Sequence, residues 1–222
     1  MRILFIALLG LIFQFSGWAQ NIQTDISGNL SYVSVDKSYK ATLRQNIFDD
    51  LTFADSNNNQ VVLKAEYIKL EYGKLFENEE AKFDFFLNMV QQHRKQKGYI
   101  ASYEVDIFGT IKVKDNQGWE LEVGKDGVGN SFRREERNGE RQSFENKSGM
   151  MTFKSNHKNA SLRKDVFKQW IYKDSNGNEL RISEKTFGKL LWQYGNDEEV
   201  FMYLVNTFLL LEEDNRREHQ HR

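Results

Sequence analysis

Neither cysteine nor proline occurs anywhere in the 222 residues. Without cysteine, no disulfide staples the fold, no thiolate serves as nucleophile or metal ligand, and no lipid can be attached through a thiol at a new N-terminus. The core must hold by burial alone. Proline at its average usage of ~5% would appear about eleven times in such a chain. A chain that lacks it can run strands and helices without interruption. An excess of charge of one sign is also missing, since 31 Lys and Arg face 32 Asp and Glu. A nucleic-acid binder needs a dominant basic patch, and this balance gives no pull toward an anionic membrane surface. The one long apolar run, Ile3 to Phe15, falls short of the ~20 residues that span a bilayer.

What is present begins with export. Met1-Arg2, the run Ile3 to Phe15 and the small residues Gly17 and Ala19 form the three parts of a secretory signal peptide. The spacing predicts cleavage after Ala19, a mature chain from Gln20, and a periplasmic or extracellular destination. No nucleic-acid partner is expected, and no membrane association after cleavage.

The main signal is internal repetition. Residues 41–59 and 160–178 agree at 8 of 19 positions, where composition alone gives about one. Ala41-Thr42-Leu43-Arg44-Gln45-Asn46-Ile47-Phe48 lines up with Ala160-Ser161-Leu162-Arg163-Lys164-Asp165-Val166-Phe167. Asp55-Ser56-Asn57-Asn58-Asn59 likewise matches Asp174-Ser175-Asn176-Gly177-Asn178. A third copy starts at Ala101, passes Ile107-Phe108 and reaches Asp115-Asn116-Gln117-Gly118, and weaker echoes start at Asp25 and Asn146. In each copy apolar residues alternate at period two, as in Leu51 and Phe53, Ile111 and Val113, or Trp170 and Tyr172. A turn of residues that tolerate positive φ follows, and alternation resumes at Val61 and Leu63, Leu121 and Val123, or Leu180 and Ile182. Each copy therefore predicts a β-hairpin, with the Ile-Phe pair ahead of it tucked into the core at a corner.

After the first and third hairpins the period becomes helical. Phe187, Leu190, Leu191 and Tyr194 share one helix face that ends at Gly195; Val200, Phe201, Leu204, Val205, Phe208 and Leu209 form a second stripe after a cap at Asn196 or Asp197. The first copy predicts matching helices from about Ala65 to Phe76 and from Glu79 to Lys97, with Gly98 as the stop. The middle copy lacks the helical pair and continues as turns and short strands through Asn138-Gly139, a strong hairpin signal. The expected fold is α+β: tandem antiparallel β-hairpins near 41–63, 101–123 and 160–182, with αα-hairpins over about 65–97 and 184–213. The expected division is a signal peptide (1–19), a first hairpin-plus-αα unit (20–98), a middle hairpin segment (99–142), a second hairpin-plus-αα unit (143–214) and a polar tail (215–222). A continuous hairpin solenoid is the rival arrangement. The organisation resembles MORN and choline-binding repeats, but the glycine and aromatic spacing that defines either is absent.

Chemistry-bearing residues give no catalytic constellation, no cofactor motif and no metal site. Glu79-Glu80 and Glu198-Glu199 sit just past helix caps, where acidic side chains favour the positive end of a helix. His93 lies on an apolar helix stripe and reads as packed; His219 and His221 fall in the polar tail. Gly124 to Asn130 is glycine-rich but lacks the Gly-Lys-Ser/Thr ending of a phosphate loop and reads as a β-turn region. Trp119 departs from the pattern, since it holds the place of Asn59 and Asn178 in the other copies. An aromatic near a hairpin tip can stack on a sugar or anchor a partner protein. With Arg133, Arg134, Arg137 and Arg141 on the charged hairpin that follows, it forms the candidate partner-binding set. The sequence therefore points to a non-catalytic exported protein that binds a protein or glycan or serves a structural role. The alternative is a hydrolase of an envelope polymer, glycan or peptide, that uses converging carboxylates.

Overall fold

The computed structural model describes residues 22–73 and 78–210. The predicted signal peptide, its cleavage point and the polar tail with His219 and His221 lie outside the described residues. Among those described, fourteen strands and four α-helices form an α+β fold in which strand neighbours follow chain order. The chain divides between Glu104 and Val105 into two compact units.

The first unit holds β1 (Ile22–Thr24), β2 (Leu30–Val33), β3 (Lys40–Gln45), β4 (Leu51–Asp55), β5 (Gln60–Leu63) and β6 (Ile100–Val105). The first five strands pair antiparallel through short turns; β6 pairs parallel with β5 because α1 (Ala65–Tyr72) and α2 (Glu79–His93) carry the chain back between them. Period-two patterning puts Leu30, Leu43, Phe53, Val61 and Ala101 in register on one face. Against that face α2 buries Phe85, Phe86, Met89, Val90 and His93, and α1 buries Ile68. The caps follow from side-chain chemistry. Asn78 accepts from the N–H groups of Glu80 and Ala81 at the start of α2. Asp50 does the same for α1 from outside the helix, accepting from Ala65 N–H at 3.0 Å and from Lys64 Nζ at 3.0 Å. The second helix stops at His93, short of the predicted Lys97, and a turn reaches Gly98 at φ 67°. His93 stacks on Tyr99 with ring centroids 5.2 Å apart, a packed histidine as its stripe implies.

The second unit is an uninterrupted antiparallel meander: β7 (Ile111–Asp115), β8 (Trp119–Lys125), β9 (Ser131–Arg137), β10 (Glu140–Lys147), β11 (Met150–Ser155), β12 (Asn159–Lys164), β13 (Trp170–Asp174) and β14 (Glu179–Ile182). Two helices follow, α3 (Glu184–Tyr194) and α4 (Asp197–Leu204), and α4 runs on as a π-helical segment, Val205–Leu210. Ser183 caps α3, Gly195 ends it, and Asn196 caps α4. The helices bury Phe187, Val200, Phe201, Leu204, Val205 and Leu209 against Phe144, Met151, Phe153, Leu162, Trp170 and Tyr172. Predicted short, β9 and β10 run to seven and eight residues and, with the seven-residue β8, are the longest strands among the described residues.

One expectation is overturned. The Ile-Phe pairs do not tuck into the core: Phe48, Phe108 and Phe167 are 71, 79 and 81% exposed, and Ile47, Ile107 and Val166 are 91, 93 and 91% exposed. The reason is the turn geometry. Each pair forms the second and third residues of a five-residue loop whose fourth residue has positive φ: Asp49 at 65°, Gly109 at 79°, Lys168 at 62°. The first residue bonds across the loop, as Asp106 N–H does to Thr110 carbonyl oxygen at 2.9 Å, and accepts the fourth N–H in return. A loop of this kind closes the hairpin tightly and turns its central side chains away from both strands.

Candidate functional site

The same loop recurs with one chemical device. An Asp or Asn at the first position accepts, through one side-chain oxygen, the N–H groups two and four residues on. Asn46 does so from Phe48 and Asp50, Asp106 from Phe108 and Thr110, Asp126 from Val128 and Asn130, and Asp165 from Phe167 and Gln169, all at 2.8–3.0 Å. These bonds favour the charged carboxylate. Donation from Asn130, first through its side-chain amide, holds Asp126 below the usual carboxylate range, and the Thr110 N–H leads the same effect on Asp106. The tip is further fixed by a close approach. A Cβ at Gly124 would lie 2.8 Å from Thr110 Oγ1 and 3.1 Å from Thr110 Cα, so only glycine lets β8 pass the first turn of the second unit.

Successive strands reverse direction, so turns alternate between the two ends of each meander. In the second unit one end carries Ile107-Phe108, Gly127-Val128, Ser148-Gly149 and Val166-Phe167 at its tips, and Val128 is also largely exposed. The other end carries Asn116-Gln117, Asn138-Gly139, Asn156-His157 and Ser175-Asn176. The first unit repeats the contrast, with exposed Ile26, Ile47 and Phe48 on one end and Ser56-Asn57 on the other, where Val35 is the one exposed apolar exception. Tips on one end are two strands apart, which sets them about 10 Å from each other. Exposed Ile, Val and Phe in such a row cost solvation and contribute nothing to the hydrophobic cores. Each recurs in equivalent turns even though folding gives no reason for it.

Trp119 and the arginines fall on both faces of the sheet, because neighbours in a strand point opposite ways. Trp119, Arg133 and Arg137 share one face. The Arg137 guanidinium lies 5.5 Å from the Trp119 ring, Trp119 Nε1 donates to Glu135 at 3.2 Å, and Arg133 pairs with Glu135 at 2.9 Å. Arg134 and Arg141 lie on the opposite face, beside an open groove of roughly 520 Å³. There Arg134 stands 3.5 Å from Glu122 and Arg141 2.6 Å from Glu136, while Lys114 bridges to Glu120. Each of these groove carboxylates is thus held by a cation. Glu198 is engaged elsewhere, accepting from Ser131 Oγ at the head of α4.

The structure also explains why tryptophan stands where the other copies have asparagine. Asn59 reaches from its turn to the end of α2, donating to the carbonyls of His93 at 2.9 Å and Gln96 at 3.1 Å and accepting from Tyr99 N–H at 2.8 Å. Asn178 donates to Phe208 carbonyl at 3.3 Å at the end of the second helical pair. The middle copy has no helix end to satisfy, so the amide has no task there.

Sequence reasoning missed the exposed tips because an apolar pair in a repeat reads as core. The signal that finds them is the register: Ile-Phe falls between the Asp or Asn and the positive-φ residue of the loop, outside both strand alternations. Trp192, 91% exposed on α3, also carries no pattern that marks it. The chain matches no family model, no curated protein and no solved structure.

Proposed function

We propose that this is a non-catalytic exported protein with a binding or structural role in the periplasm or at the cell surface, and that the apolar hairpin tips of each unit serve as binding surfaces. One observation carries the reading: the Ile/Val-Phe pair recurs in three equivalent turns and is solvent-exposed in all three. The turns hold these side chains on short, multiply bonded loops, so little conformational freedom remains to be lost on docking. Trp119, Arg133 and Arg137 form a separate, more polar patch on one sheet face, with Trp119 and Arg137 at the end of the strands away from the apolar tips, and the proposed contact does not use it. The groove on the other face is lined by cation-paired carboxylates, which gives the hydrolase reading no support.

The test is site-specific photo-crosslinking in the native envelope. A crosslinker at Phe108 should give defined adducts, and one at Gln117, on the opposite end of the same meander, should give none. Equal labelling from both positions, or recovery of the chain from the cytoplasm alone, overturns the proposal.

A further inference from the structure

We infer that the open edge of β14 accepts an extended segment of another protein as an added, parallel strand, and that this segment carries a small residue and an aromatic residue two positions apart. The chain's own first copy supplies the pattern. In the register that aligns Ala41 with Ala160, the β5 residues Gln60, Val61, Val62 and Leu63 correspond to Glu179, Leu180, Arg181 and Ile182 of β14, and the residues that precede the next helix, Lys64 and Ser183, also coincide. In the first unit the far side of β5 is covered. There β6 lies parallel to it, with Val61 beside Ala101 and Leu63 beside Tyr103. Gln60 N–H donates to the Tyr99 carbonyl oxygen at 2.8 Å, and Lys64 N–H to that of Tyr103 at 2.9 Å. The corresponding strand β14 closes the strand order instead, and β13 is its one neighbour among the described residues.

Burial follows the same difference. Val61 and Leu63 are each 2% exposed, whereas Leu180 and Ile182 are only half-buried. By the same correspondence the main-chain N–H groups of Glu179 and Ser183, and that of Arg181 between them, point to the open side, since successive residues of a strand bond alternately to its two sides. The charged side chains leave that side clear. Glu179 pairs with Lys173 at 2.9 Å and with Arg181 at 3.4 Å, all on the solvated face. Strand addition at such an edge draws affinity from main-chain bonds and specificity from alternate side chains. The pattern those side chains must meet is that of β6, where Ala101 is buried and Tyr103 packs against the core. This chain's own tail does not meet it: the residues in register with Ala101 and Tyr103 are Gln220 and Arg222, polar groups where apolar ones are buried. Nor does β1, at the other end of the strand order, which offers a second copy only three residues. A segment of a different protein is therefore the occupant the edge fits.

Amide hydrogen exchange on the full chain, followed by NMR with a synthetic peptide of residues 98–105 as the probe strand, tests the inference. The amides of Glu179, Arg181 and Ser183 should exchange rapidly in the free chain and slow when the peptide is added. Arg181→Pro removes one edge-facing N–H, while Leu180 and Ile182 keep their pairing with β13. It should weaken binding about tenfold, as loss of one main-chain bond does. A peptide carrying Ala101→Asp and Tyr103→Asp should not bind, and this arm holds even where the Arg181→Pro chain fails to fold. No slowing with peptide at up to about 1 mM, or equal binding of both peptides, overturns the inference. Amides already protected in the free chain would mean that the tail or a second copy covers the edge, which overturns the separate partner. The Phe108→Ser/Phe167→Ser chain should bind the peptide as wild type does; loss of binding there would assign the peptide to the hairpin tips and overturn the β14 site.

Discussion

Asn59→Ala should be among the most damaging single polar substitutions in the first unit. The side chain is 1% exposed and joins three segments at once. It donates to Asp55 Oδ2 at 2.8 Å within its own turn, donates to the carbonyls of His93 and Gln96 at the end of α2, and accepts from Tyr99 N–H at the entry to β6. Alanine leaves the Tyr99 N–H and at least one helix-end carbonyl without their partner, and a buried unsatisfied group costs about 1–3 kcal/mol. Allowing for partial relaxation, the loss is about 3 kcal/mol, or roughly 6–12 °C in Tm for a protein of this size. Asn178→Ala is the internal control. Its amide is only half-buried and its bond to Phe208 is longer, 3.3 Å, so about 1 kcal/mol is expected. Urea unfolding followed by circular dichroism measures both. A loss for Asn59→Ala within about 0.5 kcal/mol of wild type, the range of a bland surface change, or a larger loss for Asn178→Ala, would contradict this bridging role.

Three further outcomes follow from the geometry. Gly124→Ala should destabilise by about 1–3 kcal/mol, since the new Cβ would meet Thr110 backbone at 3.1 Å, and a Tm equal to wild type contradicts that close approach. Trp119→Ala should cost about 2 kcal/mol through lost packing against Arg137, whereas Trp119→Phe, which gives up only the bond to Glu135, should cost under about 1 kcal/mol; equal losses would mean the ring contributes nothing. Acid should weaken the fold through the turn carboxylates. The hydroxyls of Ser34 and Ser38 hold Asp36 down at about 2 from an ordinary 3.8, and Asp106 and Asp126 are lowered in the same direction. Because the folded value lies below the unfolded one, the contribution is complete above 3.8 and disappears as pH falls toward about 2. Denaturant midpoints measured across that window should fall with pH, and a flat or rising profile contradicts the turn bonding.

The hairpins and helices were legible because their signals are local. Alternation at Leu51 and Phe53, or at Trp170 and Tyr172, fixes which face is buried, and the Asn78, Ser183 and Asn196 caps stand where side-chain chemistry requires them. The duplication also places the two αα-hairpins by comparison of copies. The tips were misread because hydrophobicity alone does not tell a side chain inside a strand from one on a loop. Ile47-Phe48 lies one residue past Asn46, and only the side-chain bonds of Asn46 to the N–H groups of Phe48 and Asp50 commit it to the turn. The role of Asn59 was hidden for a different reason. Its partners at His93, Gln96 and Tyr99 lie 34 to 40 residues away, beyond the reach of any local pattern. The division of Trp119, Arg133 and Arg137 from Arg134 and Arg141 follows from strand parity, but only once β8, β9 and β10 have fixed boundaries.

A paired reading of stability and adduct yield for Phe108→Ser/Phe167→Ser, crosslinked from position 107, would address the surface role most directly. The expected result is a melting curve superimposable on wild type together with loss of the adducts. Unfolding at lower temperature, together with adducts that persist, would mean these phenylalanines serve the fold and not a partner.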